Sequence, residues 1–299
     1  MADAMVGVIE GSAKRHLCFA LFVAISAVFF HGILKALVAY SLRDPSSSHI
    51  ILIPFISLFL LYMERERIFS RTRTSVMAGA GMVLGGVILF WLANRGYFSA
   101  GGNWPLAVET LSMVVLWVGG FLFCYGSVAL RAAIFPAAFL LLMVPLPDVI
   151  LNRLIYALQE GSTQVAYLIF QAVGIPVFRH GFLLSLPGLT LEVAQECSSI
   201  RSSMALFITC LLAAHLFLRT WWKIALFLVV GLILSVVKNG IRIVTLALLG
   251  IYVDPGFLTG KLHQRGGFVF FFLALVILWP LFLWLEKSDK PRTPVNATT

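Results

Sequence analysis

Apolar residues run through this chain in long blocks separated by short polar clusters. A helix needs about 20 such residues to cross the hydrocarbon core of a bilayer. Blocks of this kind fall at residues 17–40, 49–63, 76–93, 106–125, 128–146, 200–218, 222–250 and 266–285, so the pattern predicts about eight transmembrane helices. The second block is short and must extend or tilt to span. Pro136, Pro145 and Pro147 lie within or at the end of the fifth, where they predict a kink or a stop.

A different pattern lies between the fifth and sixth blocks. Residues 149–174, VILNRLIYALQEGSTQVAYLIFQAVG, carry apolar positions at helical spacing interrupted by Asn152, Arg153, Gln159, Glu160, Ser162, Thr163 and Gln164. This is an amphipathic helix suited to the membrane interface or to the wall of a cavity. Residues 176–195 follow, with Gly181, Pro187 and Gly188 punctuating short alternating stretches. They predict a small hairpin or extended flap. The expected fold is an all-α membrane protein forming a single polytopic domain over residues 1–299.

Composition agrees with lipid as the main solvent. Of 299 residues, 60% are hydrophobic and 12% charged, against about 25% charged in soluble domains. The net charge of +9 does not indicate nucleic-acid binding, because the basic residues sit in short clusters between apolar blocks. Lys14 and Arg15 precede the first block, and Arg65, Arg67, Arg71 and Arg73 follow the second. Arg131, Arg219 with Lys223, and Lys287, Lys290 and Arg292 complete the set. If the amphipathic segment does not cross, all five clusters share one face, which the positive-inside bias makes cytoplasmic. Both termini are then cytoplasmic. The first block follows a basic pair but lacks a small-residue cleavage site, so it reads as a membrane helix and not as a cleaved leader.

Four cysteines are present, and three of them (Cys18, Cys124 and Cys210) lie inside apolar blocks, where the thiol acts as a small hydrophobe. Cys197 differs, standing in the polar stretch VAQECSSIRSS where the loop enters the sixth block. The charge pattern puts it at the outer membrane face. Lys238, Asn239 and Arg242 fall in the outer half of the seventh block, and His263 in the outer loop before the eighth. A thiolate is favoured by a nearby cation or a helix N-terminus. Histidine can move the proton of such a thiol, and arginine can hold an oxyanion. Arg242 is costly in an apolar span, so it needs a partner or a task. Arg201 lies one helical turn beyond Cys197. Residue chemistry alone leaves alternatives: a transporter using His31, Lys35, Glu109 and Arg242, or a non-catalytic membrane scaffold. No Cys/His spacing suggests a metal site, and nothing calls for an organic cofactor.

Residues 135–275 resemble the exosortase/archaeosortase family. The resemblance rests on FPAAFLLLMVPLPD, on LQEGSTQVAYLIFQAVGIPV, on GFLLSLPGLTLEVAQECSSIRSS, on the NGIR stretch and on KLHQRGG, in the family's order. The preceding spans, about 17–125, agree in hydropathy. Cys197, Ser198, Ile200 and Arg201 match a motif like A-C-S-G-L-R, with Ser199 in place of its glycine and Glu196 before the cysteine. Asn239 with Arg242, and then His263, match the family's arginine and histidine. The resemblance implies a protein-sorting transpeptidase or cysteine protease. Its substrates would carry a C-terminal motif such as Pro-Glu-Pro, a transmembrane helix and a basic tail. Cleavage would take place at the outer face of the cytoplasmic membrane, with transfer to an amine acceptor. It also implies Cys197, Arg242 and His263 as the catalytic set, with Arg201 and Asn239 in support.

Overall fold

The computed structural model describes residues 2–70, 72–98, 101–195, 199–258 and 267–289. They are mostly helical, and the chain divides into two compact units, Met1–Leu151 and Asn152–Thr299.

The first unit contains α1 (Ala2–Phe29), α2 (His31–Arg43), α3 (Ile53–Met63), α4 (Arg65–Phe69), α5 (Val76–Asn94), α6 (Trp104–Ala132) and α7 (Ile134–Phe139). Its main pairing is α5 on α6, and small residues set the distance. A Cβ at Gly79 would lie 2.5 Å from the Phe123 backbone, and one at Gly119 would lie 2.8 Å from the Val83 nitrogen. Small residues of this kind let membrane helices approach closely, where dispersion contacts replace a hydrophobic drive. Phe121, Cys124, Tyr125 and Ile68 form a buried cluster near one end of α6. At the end of the unit, the Asn103 and Asp148 side chains each accept the other's backbone N–H at 3.0 Å.

Among the described residues five helices are long and apolar enough to cross a membrane, or up to seven if two sharply bent helix pairs each count as one span. The expectation of eight spans is not confirmed. The first block is broken at Phe30, where the chain turns by 73° between Ala13–Phe29 and His31–Arg43. The second is only the 11-residue α3, ended by the charged run from Glu64 to Arg67. At about 1.5 Å per residue it covers roughly half the hydrocarbon core. The fifth does begin at a break, since Gly126 (φ +86°, ψ +175°) separates two helical stretches within α6, but it is interrupted again: helix resumes only to Ala132, α7 is six residues long, and one 3₁₀ turn over Leu140–Met143 ends before Pro145.

The second unit begins within α8 (Asp148–Ala172), the predicted amphipathic segment. It is followed by β1 (Phe178–His180), β2 (Leu183–Leu186) and β3 (Leu189–Glu192), then by α9 (Ile200–Phe217), α10 (Trp221–Tyr252) and α11 (Gly267–Lys287). The segment expected as a hairpin or flap is a three-stranded antiparallel sheet in the order β1-β2-β3. Leu186 pairs with Leu189 across Pro187 and Gly188. Gly188 has φ +82°, the conformation a type II turn requires after proline. Along β2, Leu184 and Leu186 are buried while their neighbours are exposed. The buried pair packs with Ala166 and Phe170 of α8 and with Ile243, Val244 and Ala247 of α10. Polar links fasten the same layer. Gln159 Nε2 donates to the Val193 carbonyl, and Arg179 on β1 bonds to Glu160 and Gln164 of α8.

A second core joins α9, the first half of α10 and α11, with Leu206, Cys210, Phe227, Leu278 and Leu285 buried. At its end Asp289 caps α10. Its carboxylate accepts from the Thr220 hydroxyl at 2.5 Å and the Arg219 backbone N–H at 2.6 Å, and Lys223 Nζ lies 3.4 Å away. The Thr220 hydroxyl, the helix-start amides and Lys223 together hold the carboxyl down to about 2.

Candidate active site

The second unit gathers polar side chains where α8, α9 and α10 meet. Two glycines make the meeting close. A Cβ on Gly161 of α8 would lie 2.8 Å from Val236 Cγ1, and one on Gly240 of α10 would lie 2.4 Å from Val165 Cγ1. At this spacing Asn239, which is 1% exposed, reaches across and donates from Nδ2 to the buried Ser162 Oγ at 3.0 Å. A buried amide costs free energy unless its groups are paired, and Ser162 meets part of that demand.

On the other side of Asn239 stands Ser199, the residue that starts α9. Its hydroxyl donates to Asn239 Oδ1 at 2.5 Å and accepts from Arg242 Nη1 at 2.7 Å. An N-cap serine normally has extended backbone and turns its oxygen to the first helical amides. Ser199 does neither. Its φ is +55° and ψ is +29°, and its side chain makes no capping bond. It is the one described non-glycine residue with positive φ. A motif like A-C-S-G-L-R has glycine at this position, and the left-handed backbone supplies the physical reason for it.

One helical turn before Arg242, Lys238 donates from Nζ to Ser202 Oγ at 2.5 Å and is 2% exposed. Arg242 itself is half-buried. The first turn of α9 thus presents two hydroxyls, three residues apart, to two cations four residues apart on α10. Such spacings share a face on each helix. Among the described residues Lys238 forms no ion pair, and the hydroxyl is its hydrogen-bond partner.

Of the residues singled out from sequence, Asn239 and Arg242 are brought together in this network. Arg201 is exposed on the first turn of α9 and makes no hydrogen bond there among the described residues. Cys197 and His263 lie outside the described residues. Cys197 is two positions before Ser199 in the chain, and His263 is in the connection between α10 and α11. The other thiols stand apart from this chemistry, with Cys124 and Cys210 buried and Cys18 exposed. His31 and Lys35 are exposed on α2, Glu109 is half-buried in α6, and among the described residues none of the three forms an ion pair. Among the described residues no three His, Cys, Asp or Glu side chains gather as a metal site.

Sequence reasoning did not assign Ser162, Ser199 or Ser202 to the network. The spacings Ser199/Ser202 and Lys238/Arg242 were the signal that pairs them.

A family model described as transmembrane exosortase (Exosortase_EpsH) matches residues 38–280, more than half of the chain. The match begins well before residue 135 and so takes in most of the first unit. Searches of curated proteins and of solved structures return no match. Together with the several apolar helices, the family match makes this a multi-pass membrane protein of the protein-sorting transpeptidase kind, and the chain belongs to the transmembrane exosortase family.

Proposed function

We propose that this chain is a cysteine-dependent transpeptidase that cleaves C-terminal sorting signals at the outer face of the cytoplasmic membrane. The single observation that carries the reading is the placement of Arg242. It is bonded to the residue two positions beyond Cys197, inside a polar network built from three helices.

In this reading the Cys197 thiolate attacks the scissile carbonyl carbon, with Arg242 favouring the thiolate and then the tetrahedral oxyanion. His263 accepts the thiol proton and returns it to the leaving amine as the C–N bond breaks, which leaves a thioester. An acceptor amine then attacks the thioester, gives its proton to His263 and releases the thiolate. Asn239 orients Arg242 through Ser199, and Arg201 is a supporting contact at the start of α9. The substrates are proteins ending in a short motif, a transmembrane helix and a basic tail. Both termini of the enzyme face the cytoplasm.

The test is processing of a tagged substrate in cells carrying Cys197→Ala. Loss of cleavage and anchoring is the expected result, and normal processing would overturn the reading. A membrane-impermeant thiol reagent should label Cys197 from outside, and labelling only from the cytoplasm would overturn the topology.

A further inference from the structure

Ser199 occupies a left-handed backbone conformation that strains an L residue and that glycine adopts freely. A serine there needs a compensating use. Its hydroxyl does not cap α9, so capping is not that use. The hydroxyl instead has one hydrogen, given to Asn239, and lone pairs, one of which faces Arg242. The left-handed turn aims the side chain away from its own helix and toward α10. Asn239 is in turn fixed by Ser162, so the hydroxyl is held from a second side by a residue that cannot move without vacating a buried bond.

We propose that Ser199 is a positioning residue for Arg242: it fixes the guanidinium relative to the start of α9, where Cys197 stands two residues earlier in the chain. The inference rests on the reading of Cys197 and Arg242 given above. Arginine has several rotatable bonds and about 2 kcal/mol of rotamer entropy. A hydroxyl anchored through Asn239 to Ser162 restricts that freedom before substrate arrives. A glycine at the same position relieves the backbone and removes the anchor, so in Ser199→Gly the melting temperature reads the backbone and the thiol reads the anchor.

The experiment uses the full chain in detergent and iodoacetamide as the probe. Alkylation of the Cys197 peptide is followed by mass spectrometry from pH 5 to pH 10. The titratable and charged groups sharing the region are Lys238 on α10, Arg201 on the first turn of α9, Glu196 beside the thiol in sequence and, in the reading above, His263, and the substitution changes none of them. The unmodified chain should alkylate with a midpoint below the ordinary thiol value of about 8.5. Ser199→Gly should move the midpoint up by roughly half a unit to one unit, the scale of one ordinary hydrogen bond. Its melting temperature should fall only slightly, because the relaxed left-handed backbone offsets part of the cost of the hydrogen bond that buried Asn239 loses. Arg242→Gln should raise the midpoint as well, and adding Ser199→Gly to it should change nothing further.

A midpoint that moves with Arg242→Gln but not with Ser199→Gly overturns the positioning role and leaves the catalytic reading intact. Equal additional shifts in both backgrounds also overturn it, since Ser199 would then act independently of Arg242. A midpoint that ignores Arg242→Gln removes the role of Arg242 at Cys197, and the inference with it.

Discussion

Replacing Gly240 with alanine tests whether helix spacing builds the site. The added Cβ would sit 2.4 Å from Val165 Cγ1, 2.7 Å from Val165 Cβ and 3.2 Å from the Ala166 nitrogen. Carbon atoms pack best at about 3.5–4.0 Å, so α8 and α10 must separate by roughly 1 Å. Valine offers no relief, because its Cβ and the backbone behind it are part of the clash. The Asn239–Ser162 bond, now 3.0 Å, would then stretch past hydrogen-bond range and leave a fully buried amide short of a partner. Overpacking costs about 1–3 kcal/mol, and the vacated amide a further 1–3 kcal/mol or so. The better helix propensity of alanine returns at most about 1 kcal/mol. The net expectation is a destabilisation of about 1–5 kcal/mol, read as a lower melting temperature in detergent. Ser162→Ala supplies the internal control. In the natural chain it should cost about 1 kcal/mol or more, and in the Gly240→Ala background almost nothing, because the bond is already open. If Gly240→Ala melts like the natural chain and Ser162→Ala still carries its full cost there, the close approach does not hold the network.

Two further tests probe the second unit. Gly231→Ala brings a Cβ to 2.9 Å from Cys210 Sγ, and should cost about 1 kcal/mol in thermal stability. Cys210→Ala in that background should recover most of it by making room, and a rescue that fails would place the clash elsewhere. Asp289→Asn should loosen the join between α10 and α11, read as a lower melting temperature at neutral pH. The Asp289 carboxyl is held at about 2 against an ordinary 3.8, so its stabilising effect is complete above about 4 and is lost as pH falls through 3.8 toward 2. A scan from pH 7 down should show this loss in the natural chain and not in Asp289→Asn.

Hydropathy located the helices whose apolar length is sufficient by itself. The blocks at 76–93, 200–218, 222–250 and 266–285 correspond to Val76–Asn94, Ile200–Phe217, Trp221–Tyr252 and Gly267–Lys287. It failed where backbone geometry divides an apolar run. Phe30 looks like any other apolar residue, yet the helix breaks there. Residues 128–131 read as the start of a new span, and the helix does break just before them at Gly126, but nothing in hydropathy explains why the break falls there. A Cβ at Gly126 would come within 1.5 Å of the Arg73 carbonyl, a tertiary constraint that no window average contains. The segment at 176–195 was legible as short and extended. Its third strand follows from the Pro187–Gly188 turn, which alternation alone did not separate from a single hairpin.

The site was legible only where polarity is expensive. A guanidinium in an apolar span demands explanation, so Arg242 and its neighbour Asn239 stood out. Serine makes no such demand, because in a helix its hydroxyl can return to a carbonyl of the preceding turn, as Ser235 does to Leu232. Ser162 and Ser202 therefore read as ordinary helix residues until the approach of α8, α9 and α10 gives their hydroxyls better partners. That approach is set by Gly161 and Gly240, residues whose contribution is the absence of a side chain. Ser199 was visible as a departure from a glycine-bearing motif, but its meaning lay in two facts that sequence does not carry. The backbone there is left-handed, and the hydroxyl so directed lands between an amide and a guanidinium. A glycine and a serine at one position can thus answer the same backbone requirement while differing in what they hold. The geometry around Arg242 is accordingly a product of helix spacing first and of polar chemistry second.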